Sequence, residues 1–76
     1  MNGIGWAIAY LADVAGTKVQ RGAWAPDWWL QLIAPGATTV PYIAIVMGDA
    51  IMPWAPTQID LLANDYQFVG APPPPP

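Results

Sequence analysis

The sequence predicts an all-α membrane polypeptide: a single kinked transmembrane helix, preceded by a short N-terminal interfacial helix and followed by an irregular, proline-rich C-terminal tail. Three observations carry that expectation. Of the 76 residues, 55% are hydrophobic and only 9% are charged, against roughly 25% charged in an ordinary soluble domain. From Leu30 to Pro53 a run of 24 residues contains one charged side chain, Asp49. Tryptophans stand at both ends of that run, Trp28-Trp29 before it and Trp54 after it, as the aromatic belts of membrane spans do.

Length and composition close other routes. A chain of this size builds only a marginal core unless it is stapled, and the absence of cysteine and histidine removes disulfides and the common zinc sites. High hydrophobicity with little charge argues equally against disorder. The basic residues are Lys18 and Arg21 alone, against five aspartates for a net charge of −3, so nucleic acid is not an expected partner.

Residues 1–27 form the first segment. Ile4, Ile8, Leu11 and Ala15 recur at spacings of three and four and predict a helix from Ile4 to Ala15, with Gly16 placed to end it. Twelve residues reach only about 18 Å, too short for a hydrocarbon core near 30 Å, and Trp6 and Tyr10 on one face suit an interface or a partner protein. A stretch opening on apolar Ile4–Leu11 without a basic leader, and broken by Asp13, does not read as a secretory signal. A polar loop holding Lys18, Arg21 and the breaker pair Ala25-Pro26 completes the segment.

Residues 28–54 are expected to span the membrane. As a helix, Leu30–Pro53 measures about 36 Å. Pro35-Gly36 and Pro41 interrupt it, and membranes tolerate such breaks where hydroxyls like those of Thr38 and Thr39 satisfy the freed carbonyls. Projected at about 100° per residue, Gln31, Thr38, Tyr42 and Asp49 fall on one polar, partner-facing stripe. Ala37, Pro41, Ala44 and Gly48 form a small-residue line for close helix packing, and Val40, Ile43, Met47, Ile51 and Trp54 a bulky face toward lipid. Trp24, Trp28, Trp29 and Trp54 are the expected interface anchors. Asp49 is read as wetted at the interface, ion-paired with a partner, or placed on an ion path.

Residues 55–76 are expected outside the membrane. Pro56 begins a short helix carrying Ile59 and Leu62 and stopped by Asn64; Tyr66–Val69 alternates like an extended segment; Pro72–Pro76 read as polyproline II. Basic residues lie on the N-terminal side of the span, which the positive-inside rule puts in the cytoplasm of, most simply, a bacterial inner membrane.

No catalytic constellation is present, because Ser, His, Cys and Glu are all absent, and Asp60 and Asp65, five apart, read as a solvated face. The layout is similar to that of the single-span antenna polypeptides of photosynthetic bacteria, but the histidine through which those ligate pigment is missing. The expected function is therefore non-enzymatic and cofactor-free: a small accessory subunit packed against larger integral membrane subunits and the lipid bilayer, in a photosynthetic or respiratory complex. The alternatives are a self-assembling subunit of a filament or virion, and a holin-like pore-former.

Overall fold

The computed structural model describes residues 2–36 and 40–70. The chain runs α1 (Ile4–Asp13), β1 (Val19–Arg21), β2 (Trp28–Ile33), β3 (Tyr42–Met47), β4 (Ala50–Pro53), α2 (Gln58–Leu62) and β5 (Tyr66–Phe68). The five strands make one antiparallel sheet in the order β4-β3-β2-β1-β5. The all-α expectation is thus overturned, and with it the single span. Among the described residues no helix is long and apolar enough to cross a membrane; α1, the longer of the two, has 10 residues.

Local chemistry explains why the apolar run is a sheet. WWLQLI and YIAIVM are dense in aromatic and β-branched side chains, which fit a pleated surface better than a helical one. A helix over the run would hold two prolines and two glycines in its interior, each unfavourable there, and a third proline at its end. In the sheet every one of them falls where its chemistry is wanted. Pro35, Gly36 and Pro41 lie in the connection from β2 to β3. Gly48 and Asp49 form the two-residue turn that joins Met47 to its partner Ala50. Pro53 ends the edge strand, where its missing N–H faces away from the sheet.

The turn depends on its glycine. Gly48 has φ +64°, and no non-glycine among the described residues has positive φ. Asp49 therefore has negative φ, and the combination is that of a type II′ hairpin turn, with glycine at the first central position. Gly48 also donates its N–H to the Asp27 carbonyl at 3.1 Å, tying the turn to the residue before β2. Gly48→Ala is expected to cost about 1–3 kcal/mol through backbone strain, and its Cβ would meet Asp27 Oδ2 at 3.3 Å. The measurement is the thermal midpoint, expected to fall by several degrees; an unchanged midpoint would contradict the turn assignment.

One face of the sheet carries the core. Residues facing one another across paired strands share a face, so Val19, its partners Leu30 and Phe68, and Ile45 opposite Leu30 all point the same way. On that face α1 lays Ala7 and Leu11, and Ala7, Leu11, Val19, Leu30 and Tyr66 form the buried cluster. Trp6 and Tyr10, expected at an interface, instead enclose Phe68, with ring centroids 4.9 Å from it in both cases. Helix α1 ends at Asp13, before the expected Ala15, with Val14 extended at its C-cap; Gly16 takes φ +82° in the turn that follows, and the Thr17 hydroxyl donates to the Val14 carbonyl at 2.7 Å.

Helix α2 is set by Thr57. Its hydroxyl accepts from the Asp60 N–H while the Asp60 carboxylate accepts from the Thr57 N–H, a reciprocal capping box. Tyr66–Phe68, expected as an extended segment on a neighbour, finds that neighbour within its own chain, as β5 against β1.

Candidate functional site

The residues singled out from the sequence are redistributed by the sheet. Gln31 on β2 lies directly opposite Ala44 on β3, and Tyr42 lies two residues along from Ala44 on the same side; all three are on the face opposite the core. Gly48 and Asp49 sit together at the β3–β4 turn. Ala37 and Thr38 lie outside the described residues, as do Thr39 and the prolines from Pro72 onward. With no helix to carry them, the polar stripe and the small-residue line do not exist as lines. The tryptophans separate too. Trp24 and Trp54 pack against the core and meet edge-on, centroids 6.4 Å apart. Trp28 is exposed, and Trp29 lies under Lys18, whose Nζ is 4.8 Å from the ring centre.

A concavity of about 410 Å³ opens where α1 ends beside β2. Leu11, Ala12, Leu32 and Ala34 give it an apolar wall, and Asp13, Thr17, Lys18 and Gln31 are among its other lining residues. Its volume lies in the range of small-molecule sites, and a mostly apolar lining with a few convergent polar groups is their usual chemistry. Two of the lining residues, Lys18 and Gln31, turn their side-chain ends to Trp29, on the face opposite the core. Trp29 donates its indole N–H to Gln31 Oε1 at 3.0 Å, and the same ring lies beneath the Lys18 ammonium. Among the described residues the salt bridges belong to Arg21, and the Lys18 ammonium has the Trp29 ring as its partner.

A second polar cluster is structural. Arg21 on β1 donates through Nε to Asp65 Oδ1 at 2.9 Å and through Nη1 to Asp60 Oδ1 at 3.1 Å. Tyr66 donates its hydroxyl to the Asp60 carbonyl at 2.7 Å. Burial on its own raises the Asp60 pKa. The Thr57 amide, the Arg21 guanidinium and the Thr57 hydroxyl together outweigh it and hold the carboxyl below its ordinary value. Asp65 is lowered chiefly by its hydrogen bond from Arg21. The Tyr66 hydroxyl is pushed up, first by burial and then by the Asp60 charge. Asp60 and Asp65, expected as a solvated face, are therefore the two halves of an ion-pair clamp on Arg21, a residue expected in a solvated loop. Among the described residues no cluster of acidic side chains could hold a metal ion.

A family model described as Tad2-like, Thoeris anti-defense 2-like domain, matches residues 2–69. The chain belongs to the Thoeris anti-defense 2-like family. No curated protein matches it. The matched span takes in both helices and all five strands of the described residues. Membership overturns the accessory-subunit reading, its photosynthetic or respiratory setting and its integral membrane partners. The bilayer placement and the cytoplasmic N-terminus fall with the span they required. The filament, virion and holin-like alternatives fall with the same function.

The sequence signals for this architecture were present. Gly48-Asp49 between two apolar runs is a two-residue hairpin signature, and Thr57-Gln58-Ile59-Asp60 carries the acidic N3 partner of a capping hydroxyl. The membrane reading instead placed Gly48 and Asp49 on faces of a helix and began the short helix at Pro56, so neither signal was taken as a turn or a cap.

Proposed function

We propose that this chain is a phage counter-defence protein that acts by sequestration: it binds a component of a Thoeris-type antiviral defence stoichiometrically and does not transform it. The observation that carries the reading is the family match over residues 2–69. Two features of the chain support binding over catalysis. Ser, Cys, His and Glu are absent, which leaves few groups for nucleophilic or general-base work. The cleft beside α1 has an apolar wall with Lys18 among its lining residues, a set suited to holding a small, polar molecule that carries negative charge.

The test has two parts. In cells carrying a Thoeris system, expression of the chain is expected to restore phage plating, with no effect in cells lacking the system; failure in the first setting overturns the counter-defence reading. With purified protein and the defence component, loss of free component is expected to end sharply at a fixed molar ratio, and heating is expected to return the component unchanged. Disappearance at substoichiometric protein, with an altered product, overturns sequestration in favour of an enzyme. Lys18→Gln removes one charge-assisted hydrogen bond, worth about 1.5–3 kcal/mol, and is expected to weaken capture roughly tenfold to a hundredfold without lowering the thermal midpoint.

A further inference from the structure

The two asparagines of the chain, Asn2 and Asn64, meet at one bridge. Asn2 pairs parallel with Asp65. Its N–H donates to the Asn64 carbonyl at 3.0 Å, and its carbonyl accepts from the Tyr66 N–H at 3.1 Å. Its carboxamide completes the set, with Nδ2 donating to the Tyr66 carbonyl at 3.1 Å. The segment ahead of α1 is thereby tied to the outer side of β5, whose inner side bonds β1. Asn2 is followed by Gly3, which has no Cβ to shield its backbone nitrogen, whereas Asn64 is followed by Asp65. Of the two asparagines, Asn2 is therefore the one whose side-chain amide the next backbone nitrogen can reach.

We propose that Asn2-Gly3 is a site of spontaneous deamidation which the bridge holds in check, and that conversion there irreversibly releases the N-terminal segment from β5. The Gly3 backbone nitrogen attacks Asn2 Cγ. The N–Cγ bond forms, the Cγ–Nδ2 bond breaks, and the Gly3 amide proton leaves with the departing NH2 as ammonia. Water then opens the cyclic succinimide at either carbonyl, giving aspartate, or isoaspartate, in which the backbone runs through the side chain and is longer by a methylene. Closing the ring requires rotation about the Asn2 Cα–C bond, which swings the Asn2 carbonyl off the Tyr66 N–H. It also requires the carboxamide to turn toward Gly3, which takes Nδ2 off the Tyr66 carbonyl. Two hydrogen bonds must therefore open before the attack, and at the usual net worth of such bonds the folded chain reacts roughly fivefold to a hundredfold more slowly than the unfolded one.

Either product undoes the bridge. In the aspartate product a carboxylate, which accepts and does not donate, faces the Tyr66 carbonyl where Nδ2 had donated. In isoaspartate no side-chain donor remains, and the added methylene shifts Gly3 and the start of α1 along the chain. Both place a new negative charge beside Asp65, where the Arg21 guanidinium already serves Asp60 as well.

Gly3→Ala isolates the chemistry. Gly3 has a φ of −84°, open to any residue, and a Cβ there would lie 3.8 Å from the Ala63 carbonyl oxygen, an ordinary contact. The variant therefore keeps the fold while shielding the attacking nitrogen. The unmodified chain and Gly3→Ala are incubated in warm, mildly alkaline buffer, with and without guanidinium chloride, and followed by peptide mass spectrometry. Conversion is expected at Asn2, faster in guanidinium by the factor above, and slowed by Gly3→Ala in both solutions. The converted fraction, separated by its added charge, and Asn2→Asp are both expected to melt several degrees below the unmodified chain. Conversion at Asn64 in place of Asn2 overturns the proposal, as does its absence in guanidinium or a folded rate equal to the rate there. So does a converted fraction with an unchanged thermal midpoint. None of these outcomes depends on the counter-defence reading.

Discussion

Leu30→Ala is expected to lower the folding free energy by about 2–5 kcal/mol, a large part of what a 76-residue domain possesses. Leu30 is fully buried at the centre of β2. It has Val19 on one side in the register and Ile45 on the other, and α1 packs above it through Ala7 and Leu11. Removing its isobutyl group costs the transfer energy of those atoms and leaves a cavity. The walls of that cavity are two bonded strands and a docked helix, which cannot close over it easily. Leu62→Ala is the control: at 82% exposed its expected effect is within about 0.5 kcal/mol. Urea unfolding followed by tryptophan fluorescence measures both. Equal effects would contradict the sheet, because in a lipid-facing helix Leu30 would carry no such burden.

What the sequence concealed was the period of its apolar run. Along β2, side chains alternate between the core and the open face, and a half-buried strand normally shows that alternation as apolar then polar. Here the outward positions hold Trp29, Gln31 and Ile33, so only Gln31 breaks the run, and no period of two is visible. Strand β3 is the same, with Tyr42, Ala44 and Val46 on the side away from α1, where Ala44 is itself buried. A sheet with apolar residues on both faces imitates a membrane segment in composition, and Trp28 and Trp54 at its ends imitate the belts.

Length decides nothing in such a case; the breakers do. Pro35-Gly36, Pro41 and Gly48-Asp49 cut the run into pieces of six, six and four residues, which are strand lengths and too short for spans. The N-terminal helix was legible because Ile4, Ile8 and Leu11 keep a helical period, although it ends at Asp13 and not at the Gly16 stop. The cleft was not. Lys18 and Gln31 are thirteen positions apart, and only the turn of the chain from β1 into β2 brings them together. The ion-pair clamp was hidden for a like reason: Arg21 meets Asp60 and Asp65 across some forty residues, through the β1–β5 pairing that the outer strands alone create.

That clamp gives the second large effect. Arg21→Met is expected to cost about 3 kcal/mol, near the lower end of the range for breaking a buried pair, because Asp65 is partly exposed. Arg21 and Asp60 are well shielded, with 15% and 13% of their side-chain surface accessible, and Asp65 has 36%. Methionine keeps most of the aliphatic volume, so the loss is chiefly that of leaving two carboxylates without their cation. The pH dependence separates this from simple repacking. Both carboxyls have folded-state pKa values below their ordinary ones. The stability they contribute is therefore fully present above the unfolded carboxyl value near 4 and is lost as pH falls through the lower folded values. The unmodified chain is expected to hold its thermal midpoint from pH 7 to about 5 and to lose stability steeply below 4. On the alkaline side the raised Tyr66 pKa makes stability fall as pH climbs past about 10, where the unfolded tyrosine ionises first. In Arg21→Met the acid loss should shrink or reverse, because protonating Asp60 and Asp65 then relieves their mutual repulsion and their desolvation. A variant that keeps the acid limb of the parent would show that other carboxylates carry it and that the clamp contributes packing alone.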